Sequence, residues 1–348
     1  MRVLMISRDG AGLDSASETS KRWKLLRDQG IELDVVVIQR IKGHWEDGKL
    51  RVFGAGGGYL SRFIKGYKEA ITFVENADMI SAQDPFELGL IAFLLSRKFH
   101  IKFEIQDHGG FFDGETNNEP LWFLRKFIAY FFMRRANGVR TVSPKSLERL
   151  KIMRSGFTYF LPIAVQNDFF EAEYKPEPNM IVTVSRLVEV KRVDFFIRAF
   201  HEALKINALL KLIIVGDGHL REALESLTRE LQISDVVTFV GHANPKPFLE
   251  KASLFVLTSK HEGWGVAAVE AAVIGVPVLM SDTGCARWLE ERTDASVIPR
   301  DADEDALARQ LARMVEERHE SKMISGIRMQ ETIEKQARVW QELLSVIK

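Results

Sequence analysis

Cysteine is almost missing from this chain: its 348 residues hold one, Cys285. That excludes an intrachain disulfide and a cysteine-rich metal site, and argues against a small secreted scaffold. Net charge is missing too. The 48 Lys and Arg balance 48 Asp and Glu, so no overall field draws nucleic acid, and an anionic ligand has to be held by local groups. Nor does a long apolar run open the chain. Val3 to Ile6 is soon followed by Arg8 and Asp9, far short of a signal-peptide core or a membrane span. It reads instead as a buried strand, and the cytosol is the expected compartment.

What is present is ordinary core material, 46% hydrophobic and 28% charged, in a chain long enough for two domains. In the first half, apolar runs at Arg2–Ser7, Leu33–Ile38, Asp78–Ala82, Ile101–Ile105 and Gly138–Ser143 read as strands. Helical stretches at Thr19–Gln29, Phe86–Leu95 and Pro144–Met153 separate them, the cadence of a parallel sheet with crossover helices. A second strand series runs through Ile181–Ser185, Lys211–Val215, Val236–Val240, Leu254–Ser259 and Val276–Ser281. The proline- and glutamate-rich FEAEYKPEPN between the two series suits a hinge. The expected domains are therefore 1–170 and 180–330, with a hinge at 171–179 and a closing helix at 331–348 that packs across the domains. Two Rossmann-like domains in tandem are expected to face each other across a cleft at the C-terminal ends of their strands.

The most informative stretch is SKHEGWGVAAVE, residues 259–270. Gly263 and Gly265 in a turn let the backbone approach a ligand, amides at the following helix start near Val266 suit phosphate oxygens, and Glu270 can accept from sugar hydroxyls. The same glycines can equally shape a plain tight turn. Upstream, SRLVEVKRVDF at 185–195 places Arg186 and Lys191 after a strand, VGDGHLRE carries Gly216 and Gly218, and FVGH carries Gly241. Each glycine also fits an ordinary loop.

Glu262 and Glu270, with the glycines between them and the GVPVLMSDTG run that follows, resemble the paired-glutamate motif of the retaining glycosyltransferases of family 4, which have the GT-B fold. SRLVEVKRVDF resembles that family's basic segment, with Arg192 where glycine is common. The resemblance implies an α/β, GT-B hexosyltransferase that needs no metal or other cofactor. Its donor is a UDP- or GDP-hexose, held by Arg186, Lys191, Gly216, Gly241, Glu262, Gly263, Gly265, Val266 and Glu270. Arg186 and Lys191 then face the diphosphate, Glu262 the transferred sugar and Glu270 the ribose. On the acceptor side it implies Gly10 and Gly12 in the loop after the first strand, and His108 in QDHGG near the transferring sugar. Asp84 and Asp107 are further candidates for the acceptor. The implied acceptor is a carbohydrate or a lipid-linked hydroxyl in polysaccharide, lipopolysaccharide or glycolipid assembly. Other readings are a non-catalytic nucleotide-sugar-binding regulator and a phosphorylase- or epimerase-like enzyme.

Leu121–Arg135, LWFLRKFIAYFFMRR, joins aromatics to four cations with no acid. It suits either a core-facing crossover helix with snorkelling cations or peripheral contact with the cytoplasmic face of the inner membrane.

Overall fold

The computed structural model describes residues 1–109, 111, 122–154, 156–299, 301–317, 324 and 326–346. The chain divides into two units: Met1–Ile163 together with Met329–Lys348, and Ala164–Arg328.

The first unit opens with β1 (Arg2–Ser7), α1 (Glu18–Asp28) and β2 (Glu32–Val37). The central strands are apolar along nearly their whole length because both sheet faces are covered, and Val3, Leu4, Ile6, Val35 and Val36 have no exposed surface. A hairpin follows, β3 (Lys42–Asp47) and β4 (Leu50–Ala55), turning at Gly48 with φ +60°. Then come α2 (Tyr59–Val74), β5 (Met79–Ala82), α3 (Glu87–Phe99) and β6 (Lys102–Asp107). The series ends with α4 (Trp122–Arg135), β7 (Gly138–Thr141), α5 (Pro144–Met153) and β8 (Phe157–Phe160). The described strands lie in the order β3-β4-β2-β1-β5-β6-β7-β8, parallel except for β3 against β4. Helices α2 to α5 share one core with the sheet.

The second unit contains α6 (Asn167–Phe170), β9 (Met180–Val184), α7 (Val193–Leu204), β10 (Lys211–Val215), α8 (Arg221–Glu230) and β11 (Val237–Gly241). It continues through α9 (Lys246–Leu249), β12 (Leu254–Leu257), α10 (Val266–Ile274), β13 (Val278–Ser281), α11 (Ala286–Glu290), β14 (Ser296–Ile298) and α12 (Glu304–Glu316). Its described strands run parallel in the order β11-β10-β9-β12-β13-β14. Helix α10 stops where Gly275, at φ +102°, lets its own amide and that of Val276 return to the Ala271 carbonyl, and Pro277 prevents continuation.

Two boundaries differ from the expected ones. Residues 171–179 lie inside the second unit, where the Lys175 and Glu177 amides donate to the Glu250 and Lys251 carbonyls at 2.8 Å each. Proline and glutamate make this segment extended, but its backbone still finds fixed partners. The closing helix, α13 (Met329–Val346), is counted with the first unit. Trp340 is fully buried there, and its indole N–H donates to Glu104 Oε2 at 2.9 Å. The Glu104 carboxylate, itself without exposed surface, also accepts from Ser81 Oγ at 2.9 Å and from the Tyr159 hydroxyl. A buried charge of this kind is tolerated only when its lone pairs are met by donors, so α13 completes a network that begins in β6.

Candidate functional site

In an open parallel sheet, loops leaving the strand C-termini gather where strand order reverses. In the second unit that point lies between β9 and β12, paired in parallel through Ile181 with Leu254 and Val182 with Phe255. The loops after them, 185–192 and 258–265, therefore run side by side and are cross-linked. Lys260 N donates to the Val190 carbonyl at 2.8 Å. Thr258 Oγ1 donates to the Lys191 and Arg192 carbonyls at 3.1 Å each.

At the centre of this junction Lys191 Nζ meets Glu262 Oε1 at 2.6 Å, with side-chain exposures of only 13% and 10%. Ser259, buried, donates its hydroxyl to the same Glu262 oxygen at 2.6 Å. The pair is thus a poorly screened ion pair with one extra fixed donor. Arg186, exposed, stands on the same loop as Lys191, while Glu270 sits half-buried in the second turn of α10. Gly265 adopts φ +89° immediately before α10, and no side chain caps the helix. The Ala268 amide closes on the Gly265 carbonyl at 3.0 Å, and the amides at the very start, Val266 and Ala267, have no side-chain cap.

The flanking strands press on the same loops. Gly216, at φ +133°, lies so close to the β9 loop that a Cβ would fall 1.9 Å from the Ser185 carbonyl oxygen. Its missing side chain lets Leu187 N reach the Asp217 carbonyl at 2.9 Å, and its amide donates to the Gly241 carbonyl at 2.8 Å. On the other side, Cys285 N donates to the Trp264 carbonyl at 2.8 Å, and a Cβ on Gly284 would fall 2.9 Å from that of Glu262, which seats the loop after β13 against Glu262 and Trp264. Burial, and then the Glu262 carboxylate, push the Cys285 thiol far above its ordinary range.

In the first unit the order reverses between β1 and β5. Ser7 Oγ donates to Gln83 Oε1 at 2.5 Å, and Arg8 meets Asp84 at 3.2 Å and Glu87 at 2.5 Å. Asp84 also accepts from the Phe86 and Leu88 amides at 2.8 and 3.3 Å, so it caps α3. Burial raises its pKa against the opposing pull of Arg8. Asp107 is buried and accepts from the Gly109 and Phe111 amides at 3.2 and 3.4 Å. Both aspartates thus shape loops. The turn held by Asp107 presents His108, whose ring is open to solvent. Desolvation by the surrounding protein, then the Arg140 and Arg22 charges, lower its pKa. Water at the open ring offsets part of that desolvation, and the direction leaves a neutral imidazole at pH 7. Gly10 lies in the short turn after β1, and Gly12 is buried in it, where a Cβ would fall 2.0 Å from the Trp23 ring. The lack of a side chain at Gly12 is a packing need.

The residues expected around the donor thus lie at the C-terminal ends of the strands of one sheet, on the loops there and in the first turns of α10, with Lys191 and Glu262 in contact. Ser259, Arg8 and Glu87 were not singled out by sequence reasoning. Their shared signal is position, on or just past the loops that leave strand ends at the two reversal points. Gly110 and Leu121 lie outside the described residues. Among the described residues, no group of three or more His, Cys, Asp or Glu side chains is placed to hold a metal ion.

The family described as glycosyl transferases group 1 matches residues 165–338, half of the chain. The chain belongs to the group 1 glycosyl transferases. The match covers β9 to α12 and with them the Lys191–Glu262 junction. Among curated proteins, this group 1 chain is 34% identical over 111 residues to an uncharacterized glycosyltransferase of Methanocaldococcus jannaschii, covering 31% of the chain and 28% of that protein. The matched stretches span 28%, 30% and 55% of three such relatives. Among solved structures, sucrose-phosphate synthase from Thermosynechococcus elongatus superposes with a TM-score of 0.75 at 18% identity, covering 99% of this chain and 96% of that one. Anabaena HepE in complex with UDP gives 0.70 at 16% identity, covering 98% and 94%. At such identities the likeness is one of fold, and it bears out the expected GT-B class.

Proposed function

We propose that this chain is a retaining glycosyltransferase that moves a hexosyl unit from a UDP- or GDP-sugar to a hydroxyl acceptor. The setting is polysaccharide, lipopolysaccharide or glycolipid assembly at the cytoplasmic face of a membrane. The observation that carries the reading is the buried Lys191–Glu262 pair on the loop that bears Arg186, ahead of an uncapped α10. Family membership supports the chemistry, and the UDP bound by the Anabaena neighbour supports a uridine donor.

In this reading the donor diphosphate takes the α10 amides, Arg186 and Lys191 as its partners. As the glycosidic bond breaks, negative charge grows on the departing nucleoside diphosphate. Fixed cations aimed at those oxygens therefore bind the transition state more tightly than the ground state. Once the diphosphate draws Lys191, Glu262 is free to accept from the sugar hydroxyls while Ser259 holds its orientation. Glu270 accepts from the ribose. His108, neutral, is the acceptor-side candidate, and the acceptor hydroxyl attacks from the face the leaving group vacates, its proton passing to an oxygen of the departing diphosphate.

The test is calorimetric titration with UDP-, GDP- and ADP-sugars, then product analysis with the best donor and a panel of hydroxyl acceptors. A UDP- or GDP-sugar should bind, and one acceptor should be glycosylated with retained anomeric configuration. Binding without transfer to any acceptor would favour a regulator. Sugar phosphate formed from inorganic phosphate, or an inverted donor sugar, would favour a phosphorylase or an epimerase. No nucleotide-sugar binding would end the reading.

A further inference from the structure

Three helices of the first unit expose an apolar surface that no described residue covers. On α2, Leu60 and Ile64 are exposed, on α3 Leu94, and on α4 Phe123 and Phe127, the last at 67%. The buried face of α4 is Ala129, Phe132 and Met133, so the sequence alternatives resolve into one helix with two apolar faces, one in the core and one outside. The exposed sides are neighbours because the helix starts converge on Glu87, at the head of α3. Tyr59, the first residue of α2, donates its hydroxyl to Glu87 at 3.2 Å, and Arg125, in the first turn of α4, meets it at 3.3 Å.

Charge decides what such a surface faces. Across α2, α3 and α4 there are nine Lys or Arg and two Glu, in a chain whose net charge is zero. One of the two acids, Glu87, is held by Arg8 and Arg125. Cations lie over the aromatics, with Arg62 4.9 Å from the Tyr59 ring and Lys126 5.1 Å from that of Trp122. Apolar groups that large normally seek cover, and a cationic rim selects a negatively charged one. No described helix is long and apolar enough to cross a membrane, so any contact is in-plane.

We infer that the α2–α3–α4 face is a docking surface for an anionic lipid bilayer. Phe123 and Phe127 enter the acyl boundary, while Lys65, Lys68 and Lys126 meet lipid phosphates. The inference rests on the reading of a membrane-side acceptor and deepens it. The helix starts that frame the surface stand at the same sheet edge as His108. A lipid-borne hydroxyl thus needs to travel only along one unit.

The experiment is co-sedimentation of the full chain with vesicles of pure phosphatidylcholine and with vesicles of phosphatidylcholine mixed with phosphatidylglycerol. Binding is expected only to the second kind and should fall as salt rises. The exposed pair Phe123→Ser with Phe127→Ser should abolish it. Lys65→Glu with Lys68→Glu should weaken it on the order of tenfold or more, since each basic group near an anionic surface is worth about a factor of five. The thermal unfolding transition of the first unit should match that of the unaltered chain, which shows that the variants fold, and nucleotide-sugar titration should match as well, which keeps this test separate from the transfer reading. No binding to anionic vesicles, or binding unchanged in both variants, overturns the inference. So does a concentration-dependent dimer in sedimentation analysis that Phe127→Ser dissolves, because the face would then belong to a second copy.

Discussion

Glu262 receives two short bonds on a single oxygen, from Lys191 and Ser259, and in the proposed reading only the first has to change when a diphosphate arrives. Ser259→Ala should therefore lower the transfer rate by about tenfold to a hundredfold, the worth of one bond to a charged group, with little loss of donor affinity. Glu270→Ala should do the opposite and weaken donor binding by a similar factor, read by titration. Equal effects of the two on affinity would merge the roles separated here. His108 offers a check by pH. Its folded pKa lies below the ordinary 6.5, so the folded protein resists the proton that the unfolded chain accepts. The resulting stability is present above about 6.5 and lost as pH falls further. The His108 proton signal in NMR should stay on its neutral shift through pH 6, and its midpoint should lie well below that of a free histidine. A midpoint near the ordinary value would show a ring hydrated like a free side chain.

At the scale of elements, α13 depends on a bond its own sequence does not reveal. Trp340→Phe removes the indole N–H and part of the buried ring, leaving Glu104 short of one donor, a loss of at least about 1–3 kcal/mol from that donor with a cavity cost added, measurable by denaturant unfolding of the full chain. An unchanged midpoint would mean that Ser81 and Tyr159 suffice. The elements legible in advance were those with continuous apolar runs or clear punctuation. β1, β10 and α5 fall on their expected residues, because central parallel strands are buried on both faces and because Ser143 and Pro144 mark a helix start. The β3–β4 hairpin escaped because β3 is largely solvent-facing and carries Lys42, Glu46 and Asp47. Helix α2 escaped because Gly58 offers no side-chain cap and Gly66 interrupts its middle. That glycine has a packing reason the sequence hides, since a Cβ there would fall 1.9 Å from the Ile38 side chain. Arg192 is the reverse case. It occupies the left-handed region at φ +51°, where its family often has glycine, and stacks on Phe195 at 4.0 Å.

For the whole molecule, the division into units sets a last prediction. Residues 329–348 are counted with the first unit although they follow the second in sequence. Truncation after Arg328 should destabilise the first unit, seen as an earlier separate transition on thermal unfolding. Nucleotide-sugar affinity, which the proposed reading assigns to residues 185–270, should stay near that of the full chain. Loss of donor binding on truncation would show that the second unit needs the helix as well.

By itself the sequence determined the α/β class and the presence of two units, and it picked out the residues proposed to hold the donor. Buried parallel strands must be apolar, and glycine, glutamate and cation spacing is a local chemical pattern. Only the tertiary structure decided that Lys191 and Glu262 touch and that Asp84 and Asp107 hold loops. It alone returned α13 to the first unit and left an apolar face outside three helices. Each of these depends on which strands lie side by side, a long-range pairing that no local pattern of residues encodes.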